Sequence, residues 1–77
     1  MERDELLETL CVEHGAPVPD DVVGAGGTLL LIYRNVAAWE KAIELARRAG
    51  LPVIEEMSGP GGRGGTLELC FDLSDHF

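Results

Sequence analysis

Cys11 and His14 stand three residues apart near the start of the chain, and Cys70 and His76 stand near its end. Together they are a two-Cys, two-His set of the kind that zinc accepts. Structural zinc sites draw close cysteine pairs from knuckles or turns, and neither cysteine here has another nearby. We therefore expect no metal and no other cofactor. Cys11 lies beside Leu7 and Leu10, where a thiol behaves as a small hydrophobe. Cys70 has Glu68 and Asp72 as same-face neighbours on a strand, and negative neighbours disfavour the thiolate that a nucleophile needs. Glu55 and Glu56, read as adjacent strand residues, point to opposite faces and cannot work as a carboxylate pair. The two histidines lie near opposite chain ends, so no nucleophile, base and orienter can be assembled, and the expectation is a protein that is not an enzyme.

The other chemically suggestive stretch is residues 58–65, Ser-Gly-Pro-Gly-Gly-Arg-Gly-Gly. Glycine backbones can turn N–H groups toward an anion, so Gly61, Gly62 and Gly64, with charge from Arg63 and from Arg34, form a candidate anion or small-ligand site at a dimer cleft. Neither the phosphate-loop pattern nor the dinucleotide fingerprint is present, because both lead from glycines into a helix and this loop leads into a strand. A flexible glycine-rich hairpin loop is the simpler reading of the same residues.

These residues need elements to hold them. Residues 2–14 place Leu6, Leu7, Leu10 and Cys11 at helical spacing, with acids mostly opposite, and Gly15 is placed to end the helix in a left-handed conformation. Residues 16–27, with two prolines and several glycines, read as a connecting loop pinned by Val18, Val22 and Val23. Residues 28–33 form an apolar strand. Asn35 caps a second helix over residues 36–49, with Trp39, Ala42, Ile43 and Ala46 on one face and Gly50 and Pro52 as the stop. Residues 52–57 read as a second strand. Residues 66–73 read as a third, in which Leu67, Leu69, Phe71 and Leu73 alternate with Glu68, Cys70 and Asp72.

The expected fold is thus α/β: a small two-layer sandwich of order αβαββ, with a mixed three-stranded sheet and both helices on one face. Residues 28–33 and 52–57 would flank the helix as a parallel crossover, and the last two strands would form an antiparallel hairpin. The other sheet face is left open. Either Leu29, Leu31 and Tyr33 or Leu30 and Ile32 must lie on it, depending on register, and we read the first set, with Cys70, as a dimer interface.

The chain has 77 residues, enough for a single domain over residues 1–77, and below the size at which a core alone is ample. Its formal charge is −8 with 45% hydrophobic residues, too apolar for a disordered acidic tail and too acidic for generic nucleic-acid binding. No apolar run approaches the ~20 residues of a membrane span. The acidic N-terminus lacks the basic start of a secretory leader, so the expected compartment is the cytoplasm, with the cysteines reduced. Charge is uneven: residues 1–25 carry −6, residues 26–50 carry +2, and the remainder carries −4.

From Gly27 onward, the pattern of strand, helix, strand, glycine-containing turn and strand is similar to the later part of sulfur-carrier domains of the TusA type and to Alba-type chromatin proteins. The TusA-type resemblance implies a Cys-Pro-x-Pro motif, and Ala16-Pro17-Val18-Pro19 has alanine where that cysteine would stand. The Alba-type resemblance implies a basic binding face, and this chain is acidic. The expected function is accordingly a small acidic interaction or regulatory module. It would be homodimeric through its sheet and would present Glu5, Glu8 and Glu13 of the first helix to a protein partner. Anion binding at Arg34 and Arg63 is the alternative, and a sulfur-carrier-like or metal-binding domain the second alternative.

Overall fold

Two glycines start the sheet. Gly26 and Gly27 both take positive φ, 54° and 85°, the left-handed pair that a two-residue hairpin turn requires. They join β1 (Asp21–Ala25) to β2 (Thr28–Tyr33) in the computed structural model, which describes residues 2–60 and 65–73. Composition marks residues 16–27 as a loop, and their second half is instead an edge strand. The reason is that the hairpin supplies a neighbour: Val22 pairs with Leu31 and Val23 with Leu30, so the valines enter a ladder despite the nearby turn residues.

The first helix begins as α1 (Arg3–Leu7) and widens into a π-helical stretch, Glu8–Glu13. The His14 N–H reaches back five residues to the Thr9 carbonyl at 3.1 Å. Gly15, at φ 70°, ends it as expected. Leu6 and Leu10 are fully buried, with Leu7 and Cys11 packed at the margin of the core.

After β2, the Asn35 side chain accepts the Ala38 N–H at 3.0 Å and starts α2 (Val36–Arg48). At the other end, the Gly50 N–H bonds the Arg47 carbonyl and the Leu51 N–H bonds that of Ala46. This paired closure around a left-handed glycine satisfies carbonyls that the helix leaves open. Ala42, Ile43 and Ala46 are buried, and the Trp39 indole N–H donates to the Glu68 carbonyl at 2.9 Å, tying the helix to β4 (Leu67–Asp72).

The sheet corrects the sequence reading in strand number, order and direction. It has four strands in the order β1-β2-β4-β3, where β3 is the short Gly59–Pro60, and every pair is antiparallel. β4 lies between β2 and the segment that follows α2. That segment and β2 both run antiparallel to β4, so they run parallel to each other without pairing, and the expected parallel crossover is split by an inserted strand. Inserting β4 lets the alternating Leu67, Leu69 and Phe71 sit directly across from Tyr33, Leu31 and Leu29.

The strand expected over residues 52–57 shrinks to a single bridge, Val53 opposite Phe71, followed by a 3-10 turn at Glu55–Met57. Pro52 has no N–H to give a ladder, and the turn would leave β4 unpaired above the bridge. Ser58 closes that gap. Its hydroxyl accepts the Cys70 N–H at 3.0 Å and donates to the Ile54 carbonyl at 2.9 Å, standing in for the missing ladder bond.

Both helices cover one sheet face. Leu6 and Leu10 from the first, and Ala42, Ile43 and Ala46 from the second, form one core with Leu29, Leu31, Tyr33, Leu69 and Phe71. The Tyr33 hydroxyl donates to the Pro17 carbonyl at 2.8 Å, and the Cys11 thiol faces the same oxygen at 3.9 Å, so the loop after the first helix is fastened to the core by Pro17. No described helix is long and apolar enough to cross a membrane.

Candidate functional site

Strand alternation divides β2 cleanly. Leu29, Leu31 and Tyr33 are buried under the helices at 0–1% exposure, while Thr28, Leu30 and Ile32 face the other way. The buried set is therefore core and cannot form the interface assigned to it from sequence; Leu30 and Ile32 occupy the open face. Both registers suited the hydrophobic pattern of the strand. What decides between them is Tyr33, whose phenol needs an acceptor and finds it in Pro17, together with the buried side of β4.

On the open face, antiparallel register aligns Val23, Leu30 and Cys70 in one cross-strand row. The adjacent row is Asp21, Ile32 and Glu68, an aliphatic side chain between two acids. Met57, from the 3-10 turn, borders a depression of about 280 Å³ that also touches Val23, Thr28, Leu30, Glu68 and Cys70. Val23 is 43% and Met57 54% exposed, unusual for large apolar residues on a sheet that packs its other face so completely. Of the three valines expected to pin the loop, only Val22 packs on the core; Val23 and Val18, the latter 78% exposed, do not.

Cys70 sits at the end of the apolar row and is only 2% exposed. Burial, reinforced by Glu68, raises its thiol pKa, and burial likewise raises that of Cys11. Both shifts hold sulfur protonated, which is the wrong direction for a nucleophile or a metal ligand. Among the described residues no cluster of three or more His, Cys, Asp or Glu side chains forms, and His76 lies outside them. Glu55 and Glu56 fall on the 3-10 turn rather than on a strand. Glu55 is engaged by Arg47 through two contacts of 2.6 and 2.9 Å, and that hydrogen bonding lowers its carboxyl pKa.

Of the residues expected to form the anion site, Arg34 is among those described. Arg34 is exposed just past β2, at the sheet end where Tyr33 faces the start of β4, and its backbone N–H donates to Asp20 at 2.8 Å. Gly61, Gly62, Arg63 and Gly64 lie outside the described residues. Two arginines of the second helix are engaged locally, Arg47 with Glu55 and Arg48 with Glu44 at 3.4 Å. Glu5, Glu8 and Glu13 are exposed on the first helix, and Glu5 also approaches the Glu2 N–H at 3.5 Å.

A further feature escapes a reading by helical periodicity. Val12 and Val18 are 71% and 78% exposed, and with Leu7, Cys11, Pro19 and Val22 they line a cleft of about 290 Å³ between the first helix and β1. The signal was present as valines inside a proline-containing loop, but only the edge strand turns them into one surface.

No family model matches this sequence, and neither curated proteins nor solved structures provide a match.

Proposed function

We propose that this protein is a small acidic interaction module that self-associates through the open face of its sheet and offers its acidic first helix to a protein partner. The observation that carries the proposal is the in-register row Val23, Leu30 and Cys70, with Ile32 and Met57 beside it, on a sheet face that the two helices leave uncovered. An aliphatic row in the centre of a sheet contributes hydrophobic free energy only when a second surface removes it from water. Asp21 and Glu68 border the row as a polar rim, the ordinary anatomy of a protein interface.

Leu30 is the central side chain of the row, so Leu30→Lys places a charge where the partner copy would pack. Its other strand neighbours, Leu29 and Leu31, belong to the core and are untouched. Sedimentation velocity of the unmodified chain should show a concentration-dependent dimer, and Leu30→Lys should sediment as a monomer with unchanged circular dichroism. A wild-type chain that stays monomeric from micromolar to millimolar concentration would reject the sheet-face interface.

A further inference from the structure

β1 is the outer strand of the order β1-β2-β4-β3, paired with β2 on one side. The turn at Gly26 and Gly27 makes Ala25 and Thr28 the closing pair of the hairpin, so alternation along the ladder directs the N–H and C=O groups of Val22 and Gly24 away from β2. A contact agrees with this: the Val22 N–H is taken at 3.0 Å by the carboxylate of its neighbour Asp21, not by β2. A charged side chain folded onto an edge strand is a guard against indiscriminate pairing.

The helix side of this edge holds the cleft bounded by Leu7, Cys11, Val12, Val18 and Val22, with Glu8 at its margin. Glu13 follows Val12 in the chain, and Asp20 and Asp21 precede Val22, all exposed. Among the described residues, no Lys or Arg lines the cleft. Arg3 lies toward the other end of β1, where a Cβ on Gly24 would come 3.9 Å from its guanidinium. Among the described residues, an outer strand edge guarded by Asp21, an apolar cleft beside it and an acidic margin therefore meet along one side of the molecule.

We infer that this edge and cleft receive an extended basic segment of a partner protein, which adds to β1 as a further strand, sets alternate aliphatic side chains into the cleft and turns the intervening Lys or Arg toward Asp21 on the other face, within the field of Glu8, Glu13 and Asp20. Only an extended chain uses the outward Val22 carbonyl and the outward N–H and carbonyl of Gly24, which distinguishes it from a docked helix. Charge complementarity selects a basic segment over a second copy, whose own edge carries the same acids. The inference rests on the interaction-module reading and names the partner's chemistry and the surface that takes it.

The test uses the full chain and a fluorescent octapeptide of alternating valine and lysine, followed by anisotropy. Three matched peptides accompany it: serine in place of valine, glutamate in place of lysine, and the valine–lysine peptide with alternate amides N-methylated. The unmodified valine–lysine peptide should bind at least ten-fold more tightly than all three, and Val18→Ser should weaken it several-fold while leaving the sedimentation coefficient unchanged. Equal binding of the serine peptide would mean charge attraction alone, and equal binding of the N-methylated peptide would exclude strand addition. Either result overturns the inference, as does dimer loss in Val18→Ser, which would assign the edge to a second copy. A monomeric wild-type chain that still binds the peptide would refute the sheet-face interface and leave this edge assignment standing, so the two failures can be told apart.

Discussion

Removing the Ser58 hydroxyl should be costly for so small a change. Ser58 donates to the Ile54 carbonyl and accepts the Cys70 N–H, joining the strand-like segment after α2 to β4 where the 3-10 turn interrupts the ladder. Cys70 is 2% exposed, so in Ser58→Ala little water can reach its amide to replace the bond. The bond to Ile54 is worth about 1 kcal/mol net, and a buried N–H left without a partner costs about 1–3 kcal/mol, so the expected loss is about 2–4 kcal/mol. In a domain of this size each kcal/mol moves the melting temperature by about 4–8 °C, which puts Ser58→Ala about 8–32 °C below wild type. Urea titration at one fixed protein concentration, with an m-value of about 1 kcal/mol/M, should show the midpoint falling by about 2–4 M. Ser58→Thr keeps the hydroxyl and should lie within about 0.5 kcal/mol of wild type, the usual range for a substitution that breaks no specific feature. A Ser58→Ala variant within that same margin, at unchanged m-value, would show that the hydroxyl does not replace the missing ladder bond.

The Tyr33 phenol, raised by burial and then by the charges of Cys11 and Asp20, stays neutral in the folded chain well above its ordinary range. The unfolded phenol ionises near pH ~10, so its contribution to stability is intact below that value and declines as pH rises above it. Tyr33 is the one tyrosine of the chain, and its phenolate absorbance should emerge together with loss of circular dichroism; phenolate formation near pH ~10 in a still-folded protein would contradict the burial argument. Asn35→Ala removes the acceptor for the Ala38 N–H and should cost about 1 kcal/mol, whereas Asn35→Asp, which keeps an acceptor and complements the helix dipole, should cost less. The lone Trp39, in the first turns of the same helix, reports both variants by fluorescence during urea titration, and equal stability of Ala and Asp at position 35 would remove the cap from the account.

Residues that settle their structure with near neighbours were legible in the chain. The Asn35 cap, the apolar spacing from Trp39 to Ala46 and the Gly50 stop each act within a few residues, and α2 follows them closely. The alternation of Leu67, Leu69 and Phe71 also assigned a core face to β4, because strand periodicity is local. β1 was missed for the opposite reason. Asp21 to Ala25 contains a glycine and lies between prolines and a glycine pair, so local propensity favours a loop, and pairing with β2 overrides it.

The sites divide along the same line. Composition and spacing alone settled that the chain is acidic, that a membrane-spanning helix is not among its patterned segments, that its first helix carries exposed carboxylates and that its cysteines lack the spacing of a zinc knuckle. Tertiary structure alone decided which row of β2 is core, that β4 is inserted beside β2, and that the uncovered face presents Leu30 and Ile32 in place of Leu29 and Leu31. The physical reason is that a strand buried on one face and apolar on both carries no internal signal of its register. That signal comes from across the sheet, from the buried row of β4, and from the Pro17 carbonyl that the Tyr33 hydroxyl must reach.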